Sequence, residues 1–379
     1  MSVRRIKVMH VLNSLGVGGT ERMLINLIQR MDTARFEHLI CCVSERGAAA
    51  SQLRPDIRLI DMGKGSARDL LMPRRIARMI AAEKPDIVHT RSWAGVDGVI
   101  ARQLSGLPGR QPRLVHSEHG RNLPYIHFEP WKSRVVRRVV YHLADVVFTV
   151  SAELREHYCR ETGFPPARVR VLSNGIDVTR FDQPEDDGAA RRELGFGPDD
   201  FVVCMVSRLS PTKDFPTLAR AFAALRREQE RPARLLIVGE GSERAWLEGF
   251  ASEQGLRNDI RLTGERNDIP RLLRAVDAFV LSSHSEGLSG AILEAMCARL
   301  PVVASAVGAN PELVAEGQTG FLFPAGDQVT LRARLTWLRD NPEPARQMGL
   351  AGRRRAEETY GMENMVRQYS DMYAELAGR

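Results

Sequence analysis

The sequence predicts an α/β protein built from two Rossmann-like, doubly wound domains. Short apolar runs alternate with amphipathic helical patterns along the whole chain, and a parallel sheet requires such β-α-β crossovers. The chain has 379 residues, which is too long for one ordinary hydrophobic core. The alternation also restarts after an acidic stretch near the middle of the chain. These three observations together predict two sheets of the same class.

The first series of predicted strands occupies the amino-terminal half. Its runs cover residues 6–12, 38–43, 57–60, 86–89, 114–117, 146–150 and 169–172. The segment 182–198 begins with an acidic stretch that lacks large apolar side chains, and we interpret it as an interdomain linker. The amino-terminal domain is therefore predicted to cover residues 1–181.

A second series of predicted strands follows the linker. Its runs cover residues 201–206, 235–238, 260–262, 278–281, 302–304 and 320–323. From residue 330 the pattern is helical, with breaks expected at Pro342, at Pro344 and near Gly361. We assign residues 199–358 to the second domain and a last helix to residues 359–379. That helix either caps its own domain or crosses back to the first, and the sequence favours neither arrangement.

The net charge of +7 is unevenly distributed along the chain. Residues 1–185 contain 29 Lys and Arg against 19 Asp and Glu, so the remainder carries a small negative charge. The basic half is the one expected to meet an anionic partner such as a membrane leaflet or a lipid phosphate. Alternatively, these arginines simply cover solvent-facing surfaces. Nucleic acid is disfavoured because only 6% of residues are aromatic and the basic residues do not alternate with stacking side chains.

The cysteines and the hydropathy pattern predict a cytoplasmic protein. There are five cysteines, an odd number without CxxC spacing, and most lie in apolar patterns. Reduced, buried thiols are the expectation. No uncharged run is long enough to span a bilayer. Peripheral contact with the cytoplasmic face of an anionic inner membrane remains a hypothesis.

That hypothesis rests on the predicted helix that starts at Trp131. Its valines, Val135, Val136, Val139 and Val140, are expected on one stripe, and Arg134, Arg137 and Arg138 largely off it. A helix packed on its sheet with a solvated basic face would give this pattern. Attachment to an anionic membrane would give it as well.

Two glutamates follow the predicted strand 278–281. The chain passes through a glycine-containing turn that carries Glu286 and enters a helix that carries Glu294. Such junctions bind ligands, because free backbone N–H groups and the positive end of the helix dipole converge there. Two carboxylates would repel an anion but would accept hydrogen bonds from the hydroxyls of a sugar or ribose. Phosphate is then left to the backbone between them, at Gly287, Leu288 and Ser289.

Arg208 and Lys213 lie on one loop after the predicted strand 201–206. Two cations on such a loop suit a diphosphate, with Arg as a fork and Lys as a point charge. Lys213 is the only lysine after Lys132 in an arginine-rich chain, which indicates a specific role. A solvent-facing salt bridge with Asp214 is the alternative.

Glycine turns follow two further predicted strands. Gly18 and Gly19 come after the first strand, where the backbone could approach a phosphate closely. The dinucleotide fingerprint is not met, because Glu21 occupies the position of its third glycine. A plain turn with Thr20 as helix N-cap is at least as good an interpretation. Gly239 follows the strand 235–238, either in a plain cap or on a ligand rim.

His119 ends another strand of the first domain. A zinc site with His116 and Glu118 is disfavoured, because strand alternation puts these two on one face and His119 on the other. His119 is instead expected to line the ligand crevice. The chain contains no Asp-x-Asp pair of the kind that holds a divalent metal on a nucleotide-sugar diphosphate. No metal is predicted.

Collected in order, these motifs resemble the retaining glycosyltransferases of the GT-B fold, family four, also called group-one glycosyltransferases. The resemblance covers nearly the whole chain. It rests on Gly18-Gly19, His119-Gly120, Asn174-Gly175, Arg208, Lys213, Gly239-Glu240-Gly241, the pair Glu286 and Glu294, and Gly308-Ala309-Asn310. Arg91-Ser92-Trp93-Ala94 is also similar to an exopolysaccharide-associated subgroup.

The resemblance implies two domains that face each other across a cleft. It implies transfer of a sugar from a nucleotide-diphosphate donor to a glycan or polyprenyl-linked acceptor in polysaccharide synthesis, with no metal and no separate cofactor. Arg208 and Lys213 would hold the diphosphate, Glu294 the ribose, and Glu286 and His119 the transferred sugar. The site would be complete only when the domains close.

Other functions remain open at this point. A sugar-nucleotide 2-epimerase or a phosphorylase could use the same two-domain fold. A non-catalytic protein that binds a nucleotide sugar or nucleic acid is an alternative of another class. Product analysis separates the enzymes, because a transferase needs an acceptor and releases a nucleoside diphosphate.

Overall fold

A computed structural model of the chain shows two α/β units. Unit 1 comprises Met1–Gly175 and Met362–Arg379, and unit 2 comprises Ile176–Gly361. The structure describes residues 4–16, 19–64, 69–106, 111–120, 130–182, 188–228 and 232–378.

All sheet pairings between the named strands of the described chain are parallel. The strands are β1 (Ile6–Ser14), β2 (Phe36–Glu45), β3 (Arg58–Asp61), β4 (Ile87–Arg91), β5 (Arg113–Glu118), β6 (Val146–Thr149), β7 (Val169–Val171), β8 (Phe201–Val206), β9 (Ala233–Val238), β10 (Ile260–Leu262), β11 (Ala278–Leu281), β12 (Val302–Ser305) and β13 (Gly320–Phe323). Their orders are β3-β2-β1-β4-β5-β6-β7 in unit 1 and β10-β9-β8-β11-β12-β13 in unit 2. Every predicted strand is present, and the predicted fold class of two doubly wound parallel sheets is confirmed.

Helices connect these strands. They are α1 (Gly19–Arg30), α2 (Met72–Glu83), α3 (Val96–Leu104), α4 (Trp131–Leu143), α5 (Ala152–Thr162), α6 (Ala189–Leu194), α7 (Phe215–Arg227), α8 (Arg244–Glu253), α9 (Ile269–Arg274), α10 (Gly290–Cys297), α11 (Asn310–Leu313), α12 (Gln328–Asp340), α13 (Pro342–Tyr360) and α14 (Met362–Ala377). The break expected at Pro342 is present, but the one at Pro344 is wrong. Pro344 lies in the first turn of α13, where its missing N–H would have had no partner within the helix.

The central strands are buried on both faces. Every residue of β4, β11 and β12 is buried. This is the pattern of parallel strands covered by helices on both sides, and it explains the continuous apolar sequence of β11, whereas the second half of β4 consists of buried polar residues. Because the strands are parallel, their carboxyl ends share one edge in each sheet. The loops that leave that edge carry the polar residues singled out from the sequence.

The last helix packs against the sheet of unit 1. On α14, Met365, Tyr369, Met372 and Tyr373 are buried in one cluster with strand residues that include Ile6, Val8 and Ile87. The sequence left this placement open, because an amphipathic helix shows its apolar face without showing what covers it.

The boundary between the units differs from the predicted one. It falls between Gly175 and Ile176, and residues 188–198 belong to unit 2. Leu194 and Phe196 of this segment are buried in the core of unit 2, so this part of the predicted linker is wrong. The few apolar residues of this segment pack into the core but are separated by polar residues, so the composition of the segment did not show that it is buried. Residues 183–187 lie outside the described residues.

The cysteine prediction agrees with the structure. All five cysteines are free and buried. Burial raises the pKa of the Cys41 thiol to about 12, and it raises the pKa of Cys204 as well. These thiols are therefore unreactive core residues.

Candidate active site

Two loops meet at the carboxyl edge of the sheet in unit 2. One follows β8 and carries Arg208 and Lys213, and the other follows β11 and carries Glu286. Strands β8 and β11 are neighbours in the sheet. Ser282 Oγ donates a hydrogen bond of 2.8 Å to the carbonyl oxygen of Lys213, which ties the loops together. A second bond joins His284 N to the carbonyl oxygen of Thr212, also at 2.8 Å.

The side chains of Lys213 and Glu286 form an ion pair. Lys213 Nζ lies 2.6 Å from Glu286 Oε1, and their side chains are 22% and 10% exposed. Ser283 Oγ donates to the same carboxylate oxygen at 2.5 Å. A lysine ammonium has three donors, so Lys213 can hold Glu286 and still donate to an anionic ligand. The alternative partner, Asp214, instead accepts from Thr217 N at 3.2 Å and caps α7.

The loop of Glu286 is held from behind by a glycine contact and a polar network. Gly308 has a φ of +53°, and a Cβ at this position would lie 1.9 Å from the carbonyl oxygen of Glu286. Ser305 Oγ donates to the carbonyl oxygen of Ser283 at 2.6 Å. Asn310 Nδ2 donates to the carbonyl oxygen of Ser305 at 2.9 Å. These buried contacts preorganise Glu286 before any ligand arrives.

Gly239 positions the loop of Arg208. Its φ is +139°, and a Cβ here would lie 1.9 Å from the carbonyl oxygen of Ser207. Only glycine lets the loop after β9 pack this closely on the loop after β8. The Arg208 side chain is exposed and makes no hydrogen bond or ion pair with the residues that the structure describes. Its guanidinium is therefore available to an anion.

Helix α10 begins beside Glu286. Ser289 Oγ accepts from Ile292 N at 3.4 Å and caps the helix. Ala309 N donates to the carbonyl oxygen of Gly287 at 3.4 Å, which fixes the residues before the cap. Leu288 and Glu294 are half-buried. The helix start thus presents backbone donors next to the loop of Glu286, and binding of phosphate there stays a prediction.

In unit 1, His119 follows β5 at the carboxyl edge of that sheet. Its Nε2 lies 2.9 Å from Ser117 Oγ. Burial, with a further contribution from the charge of Arg91, lowers the pKa of His119 to about 3. The imidazole is therefore neutral at physiological pH. It can exchange hydrogen bonds with a ligand, but it is too weakly basic to serve as an efficient general base.

The carboxylate beside His119 is used structurally. Arg137 Nε donates to Glu118 Oε1 at 2.7 Å, and both side chains are 1% exposed. Burial alone would raise the pKa of Glu118, but Arg137 and His116 outweigh it and lower the pKa to about 2. Arg137 also lies over the ring of Tyr158, 4.0 Å from its centroid. Within the described ranges no three His, Cys, Asp or Glu side chains are grouped as metal ligands.

The glycine turn after β1 is only partly described. Helix α1 begins at Gly19, so Thr20 lies inside the helix, and its interpretation as N-cap is wrong. Gly18 lies outside the described residues. The amide of Gly19 belongs to the first helical turn, whose N–H groups have no partner within the helix. The role of Gly19 as a backbone donor to phosphate stays a prediction.

Comparison with known proteins identifies the family. The family model for glycosyl transferases group 1 matches residues 186–355, and the model for glycosyltransferase family 4 matches residues 17–180. The alpha-maltose-1-phosphate synthase of Mycolicibacterium smegmatis is 30% identical over 323 residues, which cover 78% of this chain and 80% of that protein. The chain belongs to the group 1 glycosyltransferases. The Escherichia coli UDP-Gal:alpha-D-GlcNAc-diphosphoundecaprenol alpha-1,3-galactosyltransferase is 29% identical over 341 residues, or 85% of each chain.

Solved structures show the same fold. This glycosyltransferase is similar to Anabaena HepE in complex with UDP, with a TM-score of 0.83, 23% identity and coverage of 97% of this chain and 100% of that one. A glycosyltransferase from Rickettsia africae gives a TM-score of 0.83 at 19% identity and covers 99% of each chain. The predicted GT-B fold class is thereby confirmed.

The structure brings together most of the predicted residues of the glycosyltransferase in unit 2. Lys213 contacts Glu286, and Gly239 supports the loop of Arg208. The supporting residues Ser283 and Ser305 were missed, because nothing in the sequence distinguishes a bonded serine from a solvated one. In unit 1 no role was predicted for the buried polar residues His89, Arg91 and Ser117. Their signal was present, since β4 and β5 each end in three consecutive polar residues, His89-Thr90-Arg91 and His116-Ser117-Glu118, after apolar ones.

Proposed function

We propose that this glycosyltransferase moves a sugar from a nucleotide-diphosphate sugar to a hydroxyl of a glycan or polyprenyl-linked acceptor, with retention of anomeric configuration. The proposed role is synthesis of a cell-surface or extracellular polysaccharide. One observation carries it: Lys213 is paired with Glu286 at 2.6 Å on the loop of an exposed Arg208, at the carboxyl edge of a parallel sheet. Cations and a carboxylate there suit a diphosphate joined to a hydroxylated sugar.

Each predicted residue has a place in this proposal. Arg208 and Lys213 bind the diphosphate together with backbone groups at Gly287, Leu288 and the capped turn of Ser289, and Gly18 and Gly19 add backbone donors. Gly239 holds the loop of Arg208. Glu294 binds the ribose, and Glu286 and His119 bind the transferred sugar. Negative charge develops on the leaving diphosphate, so preorganised cations lower the barrier.

In this proposal the anomeric configuration is retained because the acceptor oxygen attacks the anomeric carbon from the same face that the diphosphate leaves. The acceptor oxygen bonds to the anomeric carbon, the bond from that carbon to the phosphate oxygen breaks, and the acceptor proton passes to the departing phosphate. The engagement of Glu286 by Lys213 and Ser283 supports this route. So does the low pKa of His119, since neither group is a free general base. Arg208 and Lys213 would take the place of a divalent cation.

A donor panel tests the proposal. UDP-galactose and UDP-glucose come first, because one similar protein is named for UDP-Gal and HepE is described in complex with UDP-glucose. GDP- and ADP-sugars complete the panel. We expect one donor to raise the melting temperature, since a ligand at 100 times its Kd stabilises by about 2.7 kcal/mol. With a polyprenyl-diphosphate-linked sugar as acceptor, the same donor should release nucleoside diphosphate in the presence of EDTA and give the retained anomer. Inversion, or loss of activity on EDTA treatment, would contradict the mechanism.

We also propose peripheral attachment to an anionic membrane through α4, on a different face from the one first expected. Arg137 is buried against Glu118, and Arg134 lies 3.5 Å from Glu161.

The valine stripe of α4 is not packed as a unit either. Trp131, Val135 and Val139, at helical spacing, are 62%, 52% and 51% exposed. Lys132 and Arg138 are exposed beside them. An exposed apolar stripe flanked by cations suits the interface of an anionic leaflet. Within the described chain no helix has both the length and the apolarity to cross a bilayer.

Liposome flotation at physiological salt tests the attachment. The triple variant Trp131→Ser, Val135→Ser, Val139→Ser should bind anionic vesicles roughly 10-fold more weakly than the wild type, because it loses the apolar area that enters the interface. The matched control is Trp246→Ser with Val329→Ser, which removes exposed apolar side chains from unit 2. Equal flotation of the triple variant and the control would show that α4 is not the membrane contact.

A further inference from the structure

A chain of buried polar groups connects β4 and β5 along one face of the sheet of unit 1 and ends at His119. Ser117 Oγ lies 2.9 Å from His119 Nε2 and 2.9 Å from His89 Nε2. On the other side of the His89 ring, Nδ1 lies 3.3 Å from a guanidinium nitrogen of Arg91. Tyr373 Oη of α14 lies 2.6 Å from the same Nδ1. His89, Arg91, Ser117 and Tyr373 are all buried.

Arg91 determines which atoms donate and which accept in these hydrogen bonds. A guanidinium has five N–H donors, no acceptor, and keeps its proton in proteins. His89 Nδ1 must therefore accept, and the hydroxyl of Tyr373 donates to it as well. Burial, followed by the charge of Arg91, holds the pKa of His89 well below its usual value, so the ring is neutral. Its single proton is then on Nε2, from which it donates to Ser117 Oγ.

The hydroxyl of Ser117 accepts one hydrogen bond and donates another, so it links the proton position on His89 to that on His119. Its oxygen accepts from His89, and its one hydroxyl proton has two acceptors within reach. His119 Nε2 lies at 2.9 Å, and the carbonyl oxygen of Thr90 lies at 3.5 Å, the limit for a hydrogen bond. The shorter contact takes the proton. His119 Nε2 accepts it, so the proton of the neutral His119 ring is on Nδ1.

The Nδ1 atom of His119 is buried and has no hydrogen-bond partner among the described residues. We infer that Arg91 is a positioning residue: through His89 and Ser117 it sets the tautomer in which His119 donates from Nδ1 to an oxygen of the transferred sugar. This inference rests on the proposed role of His119 in sugar binding. It also defines that role, because His119 then orients the sugar and takes no proton from the acceptor.

A second branch from Arg91 supplies a matched control. Arg91 also lies 3.0 Å from His10 Nδ1, and His10 Nε2 lies 3.0 Å from His38 Nδ1. His38→Asn removes a buried imidazole from this branch while keeping an acceptor for His10. It perturbs the interior of unit 1 without touching the path to His119.

Histidine-selective ¹⁵N NMR of the full-length protein tests the inference, with His119→Gln used to assign the His119 signal. Wild type should carry the proton of His119 on Nδ1. Ser117→Ala and Arg91→Met should each give a mixture of tautomers, and Ser117→Ala changes little volume, so its folding is the safer of the two. Removing an oriented donor outright costs about 10²- to 10³-fold in turnover. Ser117→Ala, which only disorients it, should lower kcat roughly 10-fold relative to His38→Asn and change KM less.

Results from two proteins, the wild type and Ser117→Ala, could overturn the inference. One is a wild-type His119 protonated on Nε2. The other is a Ser117→Ala protein with the wild-type tautomer, or with the kcat of His38→Asn. If the wild type transfers no sugar from any donor, the proposed function fails instead, while the NMR signal still decides which nitrogen carries the proton.

Discussion

Replacing Lys213 by alanine should lower kcat/KM for sugar transfer by about 10²- to 10³-fold, the effect of removing one preorganised group that stabilises charge in a transition state. Both donor affinity and turnover should fall, because the ammonium contacts the diphosphate before and during departure. The matched control is Lys7→Ala. Lys7 is also 22% exposed and pairs with Glu83 at 2.9 Å, but it lies near the start of β1, away from the carboxyl edge.

The variant Glu286→Ala distinguishes the role of the carboxylate from that of the Lys213 ammonium in this ion pair. It should lower turnover with little change in donor affinity, since the carboxylate is proposed to contact the sugar and the diphosphate contacts remain. Steady-state kinetics with the donor found in the panel, together with thermal shifts, measure both quantities. Wild-type rates of transfer and of donor hydrolysis in either variant would remove that residue from the proposed site.

Replacing Arg137 by methionine should destabilise unit 1 by about 3–5 kcal/mol, because it leaves the buried carboxylate of Glu118 without its partner. Hydrogen exchange of the β5 amides, followed by mass spectrometry, measures this loss locally. Arg113→Met is the control on the same strand. Its ion pair with Asp145 spans 3.0 Å, but Arg113 is largely exposed, so its loss should cost less than about 1 kcal/mol.

The stability of unit 1 should depend on pH through the ionisation of Glu118. In the wild type the pKa of Glu118 is lowered from 4.5 to about 2, so its contribution to stability is complete above pH 4.5 and is lost as the pH falls toward 2. Without Arg137, only His116 opposes burial, so the pKa of Glu118 should rise from its wild-type value of about 2 and acidification should destabilise the variant less than the wild type. Adding Glu118→Gln should restore most of the loss. A double variant no more stable than Arg137→Met would contradict this account.

The architecture followed from local pattern. Apolar runs bounded by glycine and polar turns placed all the predicted strands, because a parallel strand covered on both faces is largely apolar. The positions of Lys213 and Glu286 after β8 and β11 also followed, since carboxyl ends of parallel strands share an edge. Chain length and the second run of strands gave two domains.

The local sequence pattern did not predict burial correctly where the residues that pack against a segment are distant in sequence. Arg137 was expected off the apolar stripe of α4 as one of three basic residues, yet it is buried because Glu118 of β5 compensates its charge. Residues 188–198 were interpreted as linker from the acidic stretch before them, yet Leu194 and Phe196 enter a core made by strands further along the chain. The placement of α14 depended in the same way on the sheet it covers.

The sequence by itself determined the fold class, the strands, and the loops that carry Arg208, Lys213, Glu286 and Glu294. Only the tertiary structure decided that Lys213 bonds Glu286 and that Asp214 instead caps α7. It alone placed Arg91 behind His119 through His89 and Ser117. The physical reason is that strand and helix periodicity are local properties of the chain. Hydrogen-bond direction and the pairing of buried charges depend on which side chains the packed sheet brings within 3 Å or so of one another.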